Sequence, residues 1–408
     1  MKNRIKEALG RTYRVPGVNL IETTIKSFTL AEKVIFAFFS LILIFSSLGL
    51  LYKLSTALSV EVPSYGGEII EGVTGFPRFV NPLLAISDAD KDLTSVIYSG
   101  LTRTSNGGEI TNDLAESFDI SEDGKTYTFV LKDGAEFHDG TDVTAEDIVF
   151  TIKSVQNELL KSPKRPNWIG VEVEAINEKA VVFTLKQPYA PFLENTNLGI
   201  LPKHIWKDLD AEQFPFSQFN IEPIGSGPYK VSKIKRNSSG VADYYELKSF
   251  RKFALGKPYI NVLKFKFFTN EEELLRVYLG GGVDNINSIS PSKARELEQQ
   301  GKNVVRVPLS RIFGLFLNQN QKQIFANKEA RIALNKAIDK TKIVNEALYG
   351  YATAINSPIP PGILNAHKQE LYSKGEARAI LEKGGWKWNE GKGVWQKKIG
   401  KNTEDLTF

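Results

Sequence analysis

The densest collection of chemistry-bearing side chains lies in residues 127–150, YTFVLKDGAEFHDGTDVTAEDIVF, with six carboxylates, His138 and two Asp-Gly pairs. Three chemistries use such groups. Paired carboxylates serve as general acid and base when burial raises one pKa. A histidine beside an acid is a base for hydrolysis, which would here fall to His138 with Asp139 and Asp147. Carboxylates with imidazole can also ligate a metal. The rest of the chain gives these little support. Only His138, His204 and His367 occur, far apart and without the i, i+4 pairing of a helical metal site. Cysteine is absent, which excludes disulfides, thiolate catalysis and cysteine-ligated metals. No catalytic residue, metal ligand or cofactor is expected.

The same acids have local structural duties. Asp133-Gly134 and Asp139-Gly140 are turn formers, where glycine supplies positive φ and aspartate bonds nearby backbone N–H groups. Thr144-Ala-Glu-Asp147 matches a capping box, and Glu146 and Asp147 would sit in the first helical turn, where the macrodipole favours negative charge. Architecture is the better reading of the stretch.

The flanking elements would position it. Tyr127, Phe129 and Leu131 alternate as in a half-buried strand, and Ile148, Ile152 and Val155 form a helical apolar face. VEVEAINEKAVVFTLKQP (171–188) reads as two strands joined by the Asn177–Lys179 turn, and VLKFKFF (262–268) as another strand. Glu271–Leu279 reads as a helix ended by three glycines. EARIALNKAI (329–338) places Ala330, Ala333, Leu334, Ala337 and Ile338 on one helical face, with a second helix after Asp339. Helices and strands mix, with long connections, so the class is α/β or α+β.

At 408 residues with 42% apolar content, the chain can build two or three domains with real cores. Of the net charge of +5, +4 falls in residues 1–33, which leaves the main body nearly neutral and gives no footprint for nucleic acid. Val34–Tyr52, VIFAFFSLILIFSSLGLLY, has no charge. As a helix it would span about 28 Å, close to a bilayer's hydrocarbon thickness. Basic residues before it place the leader in the cytoplasm and the main domain outside. The expectation is an uncleaved single-pass anchor in the cell membrane. The rival is a cleaved signal peptide, with STALS as the cleavage region.

FVLKDGAEFHDGTDVTAEDIVFT resembles the family 5 extracellular solute-binding proteins, the peptide- and nickel-receptor subunits of ABC importers. NPLLAISDADKDLTSVIYSGLTR, DLAESFDISEDGKTYTF, ILPKHIW (200–206), IGSGPYKV (224–231), LFLNQNQ (315–321), ARIALNKAIDKTKIVNEALYGYA (330–352), SPIPPGI (357–363) and ARAILEKGGW (377–386) continue the resemblance in order. It implies an α/β, two-lobed, periplasmic-binding-protein-like clamp of type II, with an extra subdomain. The expected organisation is a basic leader (1–33), a transmembrane helix (34–52), a linker (53–65), lobe one (66–265, extra subdomain about 86–180) and lobe two (266–408). It also implies that the family pattern continues past Phe408, where further residues would finish lobe two and, in peptide receptors, supply the acid that pairs with a peptide's α-ammonium.

The implied function is capture of a peptide or other small solute by hinged closure, and its delivery to ABC permease subunits without catalysis. A surface sensor or scaffold on the same fold is the alternative, and a surface hydrolase the remote one. Family members serve peptides, nickel, haem, sugars and opines, so the solute is not fixed by the fold. EGVTGFPRFVNP (71–82) runs along the cleft floor in the family, which makes Thr74, Phe76, Arg78 and Asn81 ligand candidates. A structural turn is the competing reading of Asn81-Pro82. Trp168 is a candidate for the cleft mouth, with core packing as its rival. In lobe two, Phe313 and Asn318 are candidates, while Leu315 and Leu317 suit the core. Gly225 to Tyr229 would shape lobe one rather than touch solute.

Overall fold

A computed structural model describes residues 18–60, 62–105, 107–307, 312–357, 372–400 and 402–407. The first 17 residues of the basic leader and nearly all of SPIPPGI lie outside these. The chain forms two compact units, Met1–Tyr65 and Gly66–Phe408.

In the first unit, α1 (Val18–Ser27) precedes α2 (Leu30–Leu58). Thr29 caps α2 in a capping box with Glu32, whose carboxylate accepts from the Thr29 N–H at 2.7 Å. The helix is 29 residues long, so it extends beyond the uncharged run at both ends, and none of its residues is buried. It is long and apolar enough to cross a membrane, a test a signal sequence also passes.

The second unit begins with β1 (Gly66–Thr74), α3 (Asp88–Ile97) and the hairpin of β2 (Thr102–Thr104) with β3 (Ile110–Asn112). Next come β4 (Ala115–Ile120), β5 (Thr126–Leu131), α4 (Ala145–Gln156), β6 (Val171–Asn177) and β7 (Ala180–Leu185). They are followed by β8 (Tyr229–Arg236), β9 (Ala242–Ser249), β10 (Ile260–Phe268), α5 (Glu271–Leu279), β11 (Asn285–Ile286) and α6 (Pro291–Gln299). The last part holds α7 (Lys328–Ala337), α8 (Lys340–Glu346), α9 (Lys374–Lys383), β12 (Lys387–Asn389), β13 (Val394–Ile399) and β14 (Asn402–Asp405).

The principal sheet is mixed, in the order β11-β1-β10-β9-β8. β11, β1 and β10 are parallel and β9 and β8 antiparallel. An antiparallel sheet, β4-β5-β7-β6, is covered by α4. Tyr127, Phe129 and Leu131 of β5, and Ile148, Ile152 and Val155 of α4, are buried in one continuous core that includes residues of both sheets. A separate core joins Ala330 and Ala333 of α7 to Ala377 and Leu381 of α9 and to Trp386. The α/β class is therefore observed, and two of the expected boundaries fall within sheets. The break at residue 265 falls inside β10, whose sheet continues to Ile286, because α5 packs on β1 and returns the chain to β11. The small antiparallel sheet runs to Leu185 rather than 180, since β7 starts at that point.

The acids of the opening stretch are all structural. Asp147, 5% exposed, accepts from the Thr144 N–H and hydroxyl, and its other oxygen accepts from the Lys203 N–H at 2.7 Å. It thereby fastens the start of α4 to the helical turn Lys203–Trp206. Asp133 pairs with Lys179, Glu136 with Lys252, Glu146 with Lys203, and Asp139 with His204. Asp142 lies in a backbone bridge to Glu136.

Candidate functional site

In open α/β sheets, ligands collect beyond the carboxyl ends of parallel strands, where side chains and backbone groups converge without disturbing the core. Here that edge is built from the ends of β1, β10 and β11. β1 ends at Thr74, paired with Phe268 at the end of β10, and the following loop carries Phe76 and Arg78. Thr74 and Arg78 are exposed and Phe76 is half-buried against the main core. The loop is held from below by Asp90 on α3. One carboxylate oxygen accepts from the Arg78 and Phe79 N–H groups at 2.7 and 2.8 Å, and the other accepts from the Ser87 hydroxyl at 2.6 Å. Asp90 is 2% exposed, so this anchor is shielded from solvent. The Arg78 guanidinium lies over the Phe79 ring, 5.6 Å from its centroid.

Beside this loop lies a second polar group that the sequence reading passed over. Glu71 of β1, Asp92 of α3, and Asn285 and Asn287 from β11 and just after it come together. Asn285 is the parallel partner of Glu71, and the Asn287 amide donates to Asp92 at 2.7 Å. Burial, and then the charge of Asp92, push the Glu71 carboxyl up to about 7, against the Asn285 hydrogen bond. Burial also raises Asp92, with Asp88 adding to the rise and the Asn287 bond and Lys91 opposing it. The Asn287 side-chain amide oxygen, Oδ1, is buried without a partner. This cluster is rich in acceptors and suits hydrogen-bond donors such as ammonium or amide N–H groups. The visible signal was Glu71 itself, an acid inside the apolar strand run EIIEGVT.

The other candidates are not in this group. Asn81 is fully buried, donates to Asn220 at 3.0 Å and accepts from the Leu83 N–H at 2.9 Å. It fastens a turn, because a buried amide needs fixed partners. Trp168 is 2% exposed and packs tilted against Phe183 and edge-on against Phe192, so it belongs to the core under β7 rather than to a cleft mouth. Phe313 is 78% exposed in an irregular segment, and the Asn318 side chain accepts from the Asn320 and Gln321 N–H groups, closing a turn. Leu317 packs on the second core, but Leu315 is exposed, since no strand forms to alternate the two faces.

His138 does not act as a base. Its Nε2 lies 3.0 Å from the Gly227 carbonyl and its Nδ1 accepts from the Gly225 N–H at 3.3 Å. Burial lowers its pKa to about 4. Both nitrogens are engaged in holding the IGSGPY loop. Among the described residues no group of three or more His, Cys, Asp or Glu could hold a metal.

Comparison with known proteins identifies the family. The pattern of the bacterial extracellular solute-binding proteins, family 5 Middle, matches residues 109–406. The chain is 29% identical over 354 residues to the oligopeptide-binding protein AppA of Bacillus subtilis, a match covering 84% of this chain and 64% of AppA. The chain thus spans under two thirds of that relative's length. The structure of AppA with a nonapeptide superposes with a TM-score of 0.61 at 28% identity, covering 83% of this chain and 68% of that one. NikZ from Campylobacter jejuni, in complex with Ni(L-His), gives a TM-score of 0.66 at 29% identity, covering 81% of this chain and 65% of NikZ. With the family pattern spanning most of its length and the fold agreeing, the chain belongs to the bacterial extracellular solute-binding proteins of family 5.

Proposed function

We propose that this protein is the solute-capturing receptor of an ABC importer and that its solute is a peptide. The observation that carries the reading is the match to AppA, a binder of oligopeptides, in both sequence and fold. The helix α2 tethers the protein in the membrane as a single pass, with the unit from Gly66 outside, and permease subunits are its partners. Solute is held by shape and reversible contacts between two lobes that close on a hinge. Thr74, Phe76 and Arg78 form the wall contributed by the first sheet, and the Glu71–Asp92 pair with its two asparagines receives N–H groups of the solute.

The test is isothermal titration of the full chain in detergent micelles with a nonapeptide and, separately, with nickel and histidine. Saturable binding of the peptide, with a ligand-linked rise in melting temperature, is the expected result. Saturation by the nickel–histidine mixture alone would replace the peptide reading, and hydrolysis of the peptide would overturn the receptor reading.

A further inference from the structure

We propose that a cavity between α3, β2 and the turn at 197–199 is a second binding site, for a small zwitterion of the α-amino acid class. Its ammonium would be taken by Asp113 and its carboxylate by Arg103.

The cavity has a volume of about 290 Å³ and is lined by Thr94, Tyr98, Thr102, Arg103, Asp113 and Asn197, with Gly100 and Gly199 among its walls. Its walls depend on those two glycines. A Cβ on Gly100 would stand 2.6 Å from the Asn197 carbonyl carbon, and one on Gly199 would stand 2.7 Å from the Tyr98 Cβ. Gly100 packs its bare backbone on the Asn197 backbone and Gly199 packs its own on the Tyr98 and Pro82 side chains, so the two passes of chain approach closely beside the cavity.

The second observation is the state of those side chains. Tyr98 is 5% and Asp113 6% exposed, yet the Tyr98 hydroxyl and one Asp113 carboxylate oxygen have no hydrogen-bond partner, nor has the Thr94 hydroxyl. A desolvated donor or acceptor left unpaired is costly, so a native protein pairs such groups with water or a ligand. Burial pushes the Asp113 carboxyl up to about 6, with Ser99, Arg103 and Lys132 holding it back, so it is mainly anionic at neutral pH.

Charge selects the ligand class. Lys132 donates to the Asp113 backbone carbonyl at 2.6 Å, and Arg103, exposed, lines the same cavity. A simple amine would meet the anion but also the Arg103 guanidinium. A simple anion would meet that cation but also a desolvated carboxylate. A molecule with both an ammonium and a carboxylate matches the two signs at once, and the Tyr98 and Thr94 hydroxyls can donate or accept alongside. None of these residues belongs to the wall assigned to peptide, so the two readings stand or fall separately.

The experiment is titration of the full chain with glycine, with methylamine and N-acetylglycine as ligands lacking one of the two charges. Glycine is expected to saturate at millimolar concentration and to bind at least about tenfold more tightly than either control. Asp113→Asn and Arg103→Gln should each weaken glycine about tenfold while leaving nonapeptide binding unchanged. Tyr98→Phe, which keeps the ring packing, should weaken glycine as well and guards against misfolding of the Asp113 variant. Absence of saturable glycine binding, equal binding of either control, or full glycine affinity in Asp113→Asn would overturn the proposal.

Discussion

Gly225 lies directly against the end of α3: a Cβ at this position would stand 2.1 Å from the carbonyl oxygen of Ile97. Two residues on, the Gly227 N–H donates to that same oxygen at 2.8 Å. The IGSGPY loop is therefore a shape motif, in which backbone replaces side chain so that the loop can close the main core. Gly225→Ala is expected to destabilise the fold by about 2–4 kcal/mol, because the obstructing atom is backbone and cannot rotate away. Gly107→Ala, where the nearest atom is a serine hydroxyl oxygen at 3.7 Å, should change stability by less than about 0.5 kcal/mol. Urea denaturation of both variants compares them, and similar midpoints would contradict the packing argument.

His138 makes the same loop sensitive to acid. Its folded pKa of about 4 lies below the ordinary value of 6.5. The unfolded chain therefore binds the extra proton first, and the contribution of His138 is complete above about pH 6.5 and is lost as pH falls through about 4. Melting temperature should drop across that window. In His138→Gln, which cannot titrate, the drop should be shallower, although the variant starts from a lower value because the ring also packs edge-on against Phe250.

Glu71 works in the opposite direction. Its folded pKa is raised from 4.5 to about 7, so the protonated form favours the fold. That contribution is complete below about pH 4.5 and is lost as pH rises through about 7. Glu71→Gln keeps the shape and removes the charge facing Asp92. It should melt higher than the parent at about pH 8 and converge with it near pH 4. If the acidic cluster receives solute N–H groups, the same variant should also weaken peptide binding at neutral pH. A gain in stability with unchanged affinity would make the cluster purely structural.

Local patterns were legible where one residue type had one possible duty. The Thr144 cap, the alternation in β5, the Asn177–Lys179 turn and the helix Glu271–Leu279 all follow from local chemistry, and the structure has them at the positions expected. The hairpin β8–β9 was not legible. β8 is an edge strand whose outward Lys230, Lys233 and Lys235 break the apolar alternation, and edge strands favour such residues because they discourage further pairing. β11 is two residues long and exists only through its pairing with β1. The same limit applies to the site. Asn81 and Trp168 are residue types that suit a cleft, and only tertiary burial distinguishes a pocket asparagine from a core one. The Glu71–Asp92 meeting joins a strand to a helix through three-dimensional packing, and no spacing in the sequence marks it.

Wall and core residues should respond differently to truncation, and this separates the ligand candidates. Trp168→Ala removes a ring packed on Phe183 and Phe192, and should cost about 3–5 kcal/mol of stability. Arg78 is exposed, and its structural contributions are a backbone N–H bonded to Asp90, which alanine retains, and a guanidinium over the Phe79 ring, worth about 0.5 kcal/mol at an exposed site. Arg78→Ala should therefore leave stability within about 0.5 kcal/mol. If its guanidinium contacts solute, peptide affinity should fall about tenfold or more, since hydrogen bonds to charged groups are worth about 1.5–3 kcal/mol. Phe76→Ala should fall between the two, because its ring is half-buried against the main core. Denaturation midpoints and peptide titrations on the same three variants give the pattern. Intact affinity in Arg78→Ala would remove the loop after β1 from the solute-binding wall and leave the Glu71–Asp92 cluster as the contact from the first sheet.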